Sequence, residues 1–249
     1  MLLKTLIKGK EDMGNKVLNK NLLKRVITAL ILIPIVIYVI DKGGFLFDSF
    51  LIIIWSLSIF EVVKIVNKAG KMSLWKKLIW VVLIFIYITF SLLALHYIRY
   101  DHHKRYIFYL FVSVWIFDSA AYFVGTAVGG TKLLPKISPK KTQSGLIGGV
   151  IVTLTFPILV NQLLTLYGSV FHNENYNFFN EGMEYAIPCS FLFMLSGLIG
   201  QIGDLMESYF KRKFGVKDSG QLFPGHGGIL DRMDSIFLAS YFWYVMVFF

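Results

Sequence analysis

A chain of 249 residues with 56% hydrophobic and 16% charged side chains and a mean hydropathy of +0.64 is too apolar for an ordinary soluble globule, where charged residues make up roughly a quarter. Its one cysteine, Cys189, excludes an internal disulfide, a zinc knuckle and an iron–sulfur site. The formal charge of +10 would suit a nucleic-acid binder, but in a polytopic membrane protein it points first to cytoplasmic loops facing anionic lipid. No nucleic-acid partner is expected.

Residues 1–25 form a lead carrying Lys4, Lys8, Lys10, Lys16, Lys20, Lys24 and Arg25, read as a basic amphipathic segment on a cytoplasmic lipid surface. No small-residue cleavage site follows the first apolar run, so the lead is not read as a signal peptide. Apolar runs at helical length then fall at about 26–40, 45–66, 78–97, 106–127, 145–167, 185–203 and 235–249. The first and last are short for a ~30 Å hydrocarbon layer. The expected fold is an all-α polytopic membrane protein with about seven transmembrane helices, forming one transmembrane domain over 26–249. A polar, partly re-entrant cytoplasmic loop precedes the last helix.

Basic residues orient it. With the N-terminus in the cytoplasm, the lead, Lys64 and the loops 67–77, 128–144 and 204–234 hold 21 of the 25 Lys and Arg. Only Lys42, Arg99, Lys104 and Arg105 fall outside, and loop 168–184 carries none. The stretch 98–105 fits this orientation least well.

Two polar loops therefore share one face. The segment 204–234 carries ten charged side chains, and at roughly 2.5–3.5 kcal/mol per central charge it cannot cross the bilayer as a simple helix. Asp204, Glu207 or Ser208, and Lys211 recur at helical spacing on a polar face that continues to about Lys213. Glu207 and Lys211 also suit an i,i+4 ion pair. Asp231 and Asp234 share a face if the last helix starts at about Leu230; Asp231 also suits a cap there. Oxygen-only ligands of this kind suit Mg²⁺, which takes one or two carboxylates plus substrate phosphates. Between the carboxylates lie Gly215, Gly220, Gly225, Gly227 and Gly228, whose N–H groups can converge on an anion. Lys211, Arg212, Lys217 and Arg232 add cations, and His226 suits either a turn or a phosphate contact.

The second loop carries Lys132, Lys136, Lys140 and Lys141, with Pro135 and Pro139 blocking a regular helix. Thr142 or Ser144 suits the N-cap of the next helix, leaving an electropositive N-terminus. Asp118 lies inside an apolar run, where a carboxylate needs a partner or a function. Asp48 and Glu61 raise the same question and are read as interhelix hydrogen-bonding groups.

The run SYFKRKFGVKDSGQLFPGHGGILDRMD, Ser208 to Asp234, resembles throughout the signature of the phosphatidate cytidylyltransferases, also called CDP-diacylglycerol synthases. The resemblance extends through GDLMES (203–208), DSAAYFVG (118–125) and ISPKKT (137–142), and more weakly from LLKRVITALILIPIVI (22–37) onward. Where the family usually follows Ser-Pro-x-Lys-Thr with Trp-Glu-Gly, this chain has Gln143-Ser144-Gly145.

The resemblance implies CTP and phosphatidate as substrates, CDP-diacylglycerol and pyrophosphate as products, Mg²⁺ as cofactor and a bacterial inner-membrane location; homodimerisation is implied in the same way. Carried over by position, Asp204 and Asp231 would hold the metal, with Asp234 assisting. Lys211, Arg212, Lys217, His226 and Arg232 would meet phosphate groups, with Asp218 orienting the basic cluster. Ser138, Lys140 and Lys141 would form the opposite wall, with Asp118 completing the cavity; Ser208, Gly227 and Gly228 are placed with the substrate-binding residues. A CTP-dependent lipid kinase is the alternative enzyme, and a transporter with an acidic cation site is the alternative class.

Overall fold

The computed structural model describes residues 30–68, 70, 72–101, 104–171, 183–222 and 227–249. The basic lead, residues 172–182 of the predicted outer loop, and His226 lie outside them. Helix α1 covers 30–42. It is followed by α2 (Gly44–Asn67), α3 (Leu74–Asp101), α4 (Arg105–Val128), α5 (Gln143–Phe171), α6 (Met183–Lys213) and α7 (Leu230–Phe248). Among the described residues, five helices, α2 to α6, are long and apolar enough to cross a membrane. Each predicted apolar run coincides with one helix, and α7 starts at Leu230, the start at which its two aspartates share a face.

The expected all-helical fold needs one correction. Strands β1 (Lys132–Leu134) and β2 (Ser138–Thr142) pair antiparallel, Lys132 opposite Thr142 and Leu134 opposite Ser138. Pro135 and Pro139 exclude a helix here. The Ile137 N–H closes the turn on the Leu134 carbonyl (3.1 Å) and the Gln143 N–H bonds the Thr131 carbonyl (3.0 Å). Thr142, not Ser144, caps α5: its Oγ1 accepts the Gly145 N–H at 3.1 Å. Ser144 instead donates to the Gly129 carbonyl, tying the first turn of α5 to the end of α4.

Helix α4 is the hub, touching α3, α5, α6 and α7. Apolar burial does not drive helices together in lipid, so close approach of small residues takes its place. Phe117 of α4 is fully buried between Gly149 of α5 and Gly197 of α6, and a Cβ at Gly149 would stand 3.0 Å from its ring. Deeper in the bundle, Trp243 of α7 donates to Ser196 Oγ (2.8 Å), and Ser196 bonds Ser113 of α4 (2.7 Å). One polar chain thus links three helices where water cannot supply a partner.

Arg99 and Lys104, basic residues on the side where few were expected, have structural work. Arg99 donates to the Ile40 carbonyl (2.8 Å) and the Asp41 carbonyl (3.1 Å), satisfying the last turn of α1. Lys104 pairs with Asp41 at 2.5 Å. Gly43 and Gly44, both at positive φ (64° and 56°), then turn the chain into α2.

At 31 residues, α6 is roughly 46 Å long, against a ~30 Å hydrocarbon layer. Its C-terminal turns, from Asp204 onward, carry the charged residues Asp204, Glu207, Lys211, Arg212 and Lys213. They end in a Schellman motif: Val216 N–H bonds the Lys211 carbonyl and Gly215 N–H the Arg212 carbonyl, with Gly215 at φ 69°.

Gly197→Leu forces the α6 backbone away from Phe117. It should cost about 1–3 kcal/mol, seen as a lowered thermal unfolding midpoint in detergent. Gly70→Ala, where an added Cβ meets nothing within 4 Å, should leave the midpoint unchanged.

Candidate active site

A cavity of about 1300 Å³ opens where α1, α4, the hairpin, α6 and α7 meet. One part of its wall is apolar, with Leu32, Ile35 and Val36 of α1 and Trp115 of α4. The other part gathers Asp118, Lys140, Lys141, Asp204, Lys211, Asp218, Asp231, Arg232 and Asp234. Nine residues singled out from the sequence, drawn from five segments, thus border one space.

Helix α6 supplies Asp204. Its Oδ1 accepts the Ser208 hydroxyl one turn on (3.2 Å), and its Oδ2 pairs with Lys141 Nζ of the hairpin at 2.5 Å. This ion pair joins the two polar loops. Ser208 thereby acts on Asp204 rather than on the cavity.

Helix α7 supplies Asp231 in its first turn. Its Oδ1 accepts Lys211 Nζ at 2.5 Å, and its Oδ2 accepts the Gly228 N–H, the Ser219 N–H and the Ser219 hydroxyl, each at 2.9 Å. Burial pushes this carboxyl up, but the Lys211 ammonium and the two backbone N–H groups outweigh it and hold it below the usual carboxylate range. Lys211, itself buried, also bonds Glu207 Oε2 at 3.1 Å. The expected i,i+4 pair is therefore present as one half of a buried triad.

Two of the glycines, Gly227 and Gly228, serve the protein's own Asp231, while Gly225 lies outside the described residues. The Gly228 N–H is directed at Asp231, and Gly227, at φ 84°, leaves space that a Cβ would take from the Asp231 carboxylate. Asp234 Oδ1 accepts its neighbour Ser235's N–H (2.7 Å), and Ser235 Oγ lies 3.4 Å from Asp118 Oδ2, bringing α4 to α7. Arg212 donates to the Val216 carbonyl at 3.0 Å and braces the turn after α6. Ser138, Ser208, Arg212, Lys217, Gly227 and Gly228 do not border the cavity among the described residues.

Glu61 is the residue that sequence reasoning undervalued. Its carboxylate, buried in α2, accepts the Ser219 hydroxyl and the backbone N–H groups of Ile229 and Leu230. Its place near the end of α2, on the face of loop 204–234, was the available signal. Asp48 meets the expectation of interhelix bonding: it takes His96 Nδ1 at 3.0 Å and the Tyr100 hydroxyl at 3.1 Å, both from α3.

The donor set is all oxygen and suits a hard divalent cation. Asp204 and Asp231 each anchor one oxygen on hydrogen-bond donors and present the other to a lysine ammonium at 2.5 Å. These are the cation-facing oxygens of the site. Among the described residues, no three His, Cys, Asp or Glu side chains stand close enough together to enclose a metal by themselves. A cation here would therefore complete its shell with water or phosphate oxygens, as Mg²⁺ does.

Residues 69–249 match the Cytidylyltransferase family. A phosphatidate cytidylyltransferase of Rickettsia conorii is 34% identical over 246 residues, 96% of each chain. One of Rickettsia bellii is 35% identical over 240 residues, 94% of each chain. One of Brucella melitensis is 43% identical over 156 residues, which cover 62% of this chain and 52% of that relative.

Lys211→Met leaves two buried carboxylates without their shared cation and should cost about 3–5 kcal/mol, read as a fall in the thermal unfolding midpoint. Lys140→Met, at an exposed position, should change stability by less than about 0.5 kcal/mol.

Proposed function

From the premise that this chain belongs to the cytidylyltransferase family, we propose that it is a phosphatidate cytidylyltransferase, converting CTP and phosphatidate to CDP-diacylglycerol and pyrophosphate. The observation that carries this reading is the two-part cavity. Apolar walls from α1 and α4 suit acyl chains, and a wall of lysines, an arginine and aspartates suits phosphates. A lipid and a triphosphate can meet only in a site with both characters.

In the reaction a phosphate oxygen of phosphatidate attacks the α-phosphorus of CTP. The bond from that phosphorus to the α–β bridging oxygen breaks, and its electron pair leaves with pyrophosphate. No residue need become covalently attached, so the protein's work is alignment and charge neutralisation. Lys140, Lys141, Lys211 and Arg232 border the cavity and supply cations for the triphosphate and the lipid headgroup. Lys141 and Lys211 rest on carboxylates in the ligand-free arrangement, which keeps two cations at the site without leaving them unpaired. Asp218 and Asp118 border the same space and orient the basic groups. Asp204 and Asp231 would hold Mg²⁺, which would supply charge neutralisation at the phosphates and Lewis-acid polarisation.

Five helices long and apolar enough to cross a membrane, with the further apolar helices α1 and α7, support a reading of seven membrane-embedded helices. The basic-residue distribution supports a cytoplasmic N-terminus and site, and the bacterial relatives support an inner-membrane location. CTP, a water-soluble polyanion, reaches that side directly. Phosphatidate arrives laterally, its headgroup at the interface and its chains against α1.

Purified protein given CTP labelled in the cytidine should move label into organic-extractable lipid, with one pyrophosphate released per cytidine. Label remaining in solution as CDP would refute the reading in favour of a lipid kinase. Asp204→Asn and Asp231→Asn should each lower kcat by about 100-fold or more while the protein remains folded. Chelation of Mg²⁺ should abolish turnover, and full activity in both variants would refute the metal assignment.

A further inference from the structure

The carboxylate of Glu61 lies on α2, is 6% exposed, and does not border the cavity. It nevertheless makes three hydrogen bonds to the segment that carries Asp231. Oε1 accepts the Ile229 N–H at 3.1 Å; Oε2 accepts the Leu230 N–H at 3.0 Å and the Ser219 hydroxyl at 2.7 Å. We propose that Glu61 is a positioning residue of the cytidylyl transfer, setting the place of Asp231 from both sides; this rests on the function proposed above.

One side is the start of α7. Its N-cap residue is Ile229, and no side chain caps it locally. The first free N–H groups of a helix need acceptors, and a local Ser, Thr, Asn or Asp is the usual one. Here the acceptor comes from another helix, so the position of the turn bearing Asp231 is tied to α2. The other side is Ser219. Its single hydroxyl proton is shared between Glu61 Oε2 (2.7 Å) and Asp231 Oδ2 (2.9 Å), while its N–H donates to that same Asp231 oxygen.

A bond to Ser219 is not needed to cap α7; it is needed to hold the loop against Asp231. The glycines agree. A Cβ at Gly220 would stand 3.0 Å from Glu61 Cδ, and one at Gly228 would collide with the Glu61 carboxylate and the Ser219 hydroxyl. These two positions make room for Glu61. A buried carboxylate in a membrane helix is costly unless its partners are complete, and all three of these partners belong to the site's own frame.

The test separates positioning from folding by counting only molecules that bind nucleotide. CTP-binding stoichiometry, KM for CTP and kcat per CTP-binding site are measured for the wild-type protein and for Glu61→Gln, which keeps the volume and loses the second acceptor oxygen. The expected result is a kcat per site lowered about 10- to 100-fold, with KM for CTP changed by less than about threefold. A kcat per site within about threefold of wild type overturns the proposal, whatever happens to the unfolding midpoint. If Glu61→Gln yields no CTP-binding protein, Ser219→Ala decides by the same readout. A fall of about fivefold or more supports the proposal and a smaller one overturns it. A wild-type protein that binds CTP but never labels lipid sinks the proposed function instead, so the two failures are distinct.

Discussion

A lysine held between two carboxylates, with all three side chains buried at the end of a membrane-embedded bundle, is the constraint on which the site depends. Lys211 lies 3.1 Å from Glu207 and 2.5 Å from Asp231, and none of the three side chains is more than 9% exposed. Taking such charges from water costs several kcal/mol each, which the pairing offsets only when every remaining lone pair finds a donor. The second oxygen of Asp231 finds three, from Ser219 and Gly228. Ser219 in turn finds Glu61. The requirement to satisfy one buried charge therefore draws α2, α6, α7 and the intervening loop into a single geometry.

That geometry sits at the charged end of α6. The apolar stretch of α6 ends near Asp204, and the helix continues to Lys213. Its last turns carry charge, and the Lys213 ammonium stands over the Trp80 ring at 4.5 Å, a cation–aromatic contact of a kind suited to a membrane interface. The hairpin between α4 and α5 reaches the same level and closes on α6 through Lys141 and Asp204. Apolar helices below and a charged frame above leave one cavity with two chemistries. Each ion pair in its wall also keeps a lysine where an anionic phosphate would want it.

Much of this was legible in the chain. The seven apolar runs each coincide with a helix among the described residues, and α7 starts at Leu230, the start at which Asp231 and Asp234 share a face. The grouping of Asp204, Lys211, Asp231, Arg232 and Asp234 around one loop matches residues that border the cavity, while Arg212 and Lys217 of the same loop do not. What was not legible is what depends on distant partners. Glu61 and Ser219 are separated by 158 positions, and no local periodicity announces such a contact. The same limit explains the glycines: Gly228 reads as an anion-binding turn, and the anion proves to be the protein's own aspartate. Residues 132–142 read as an irregular basic loop because two prolines exclude a helix, while the cross-strand pairing that orders them appears only in three dimensions.

The most direct test is a structure determined with CTP bound. The account predicts the triphosphate lodged between the hairpin lysines and Arg232, beside Asp204 and Asp231, with Lys141 and Lys211 turned from their carboxylates toward phosphate. Glu61 would keep its bonds to Ser219, Ile229 and Leu230. A nucleotide bound elsewhere, with both lysines still on their aspartates, would contradict it.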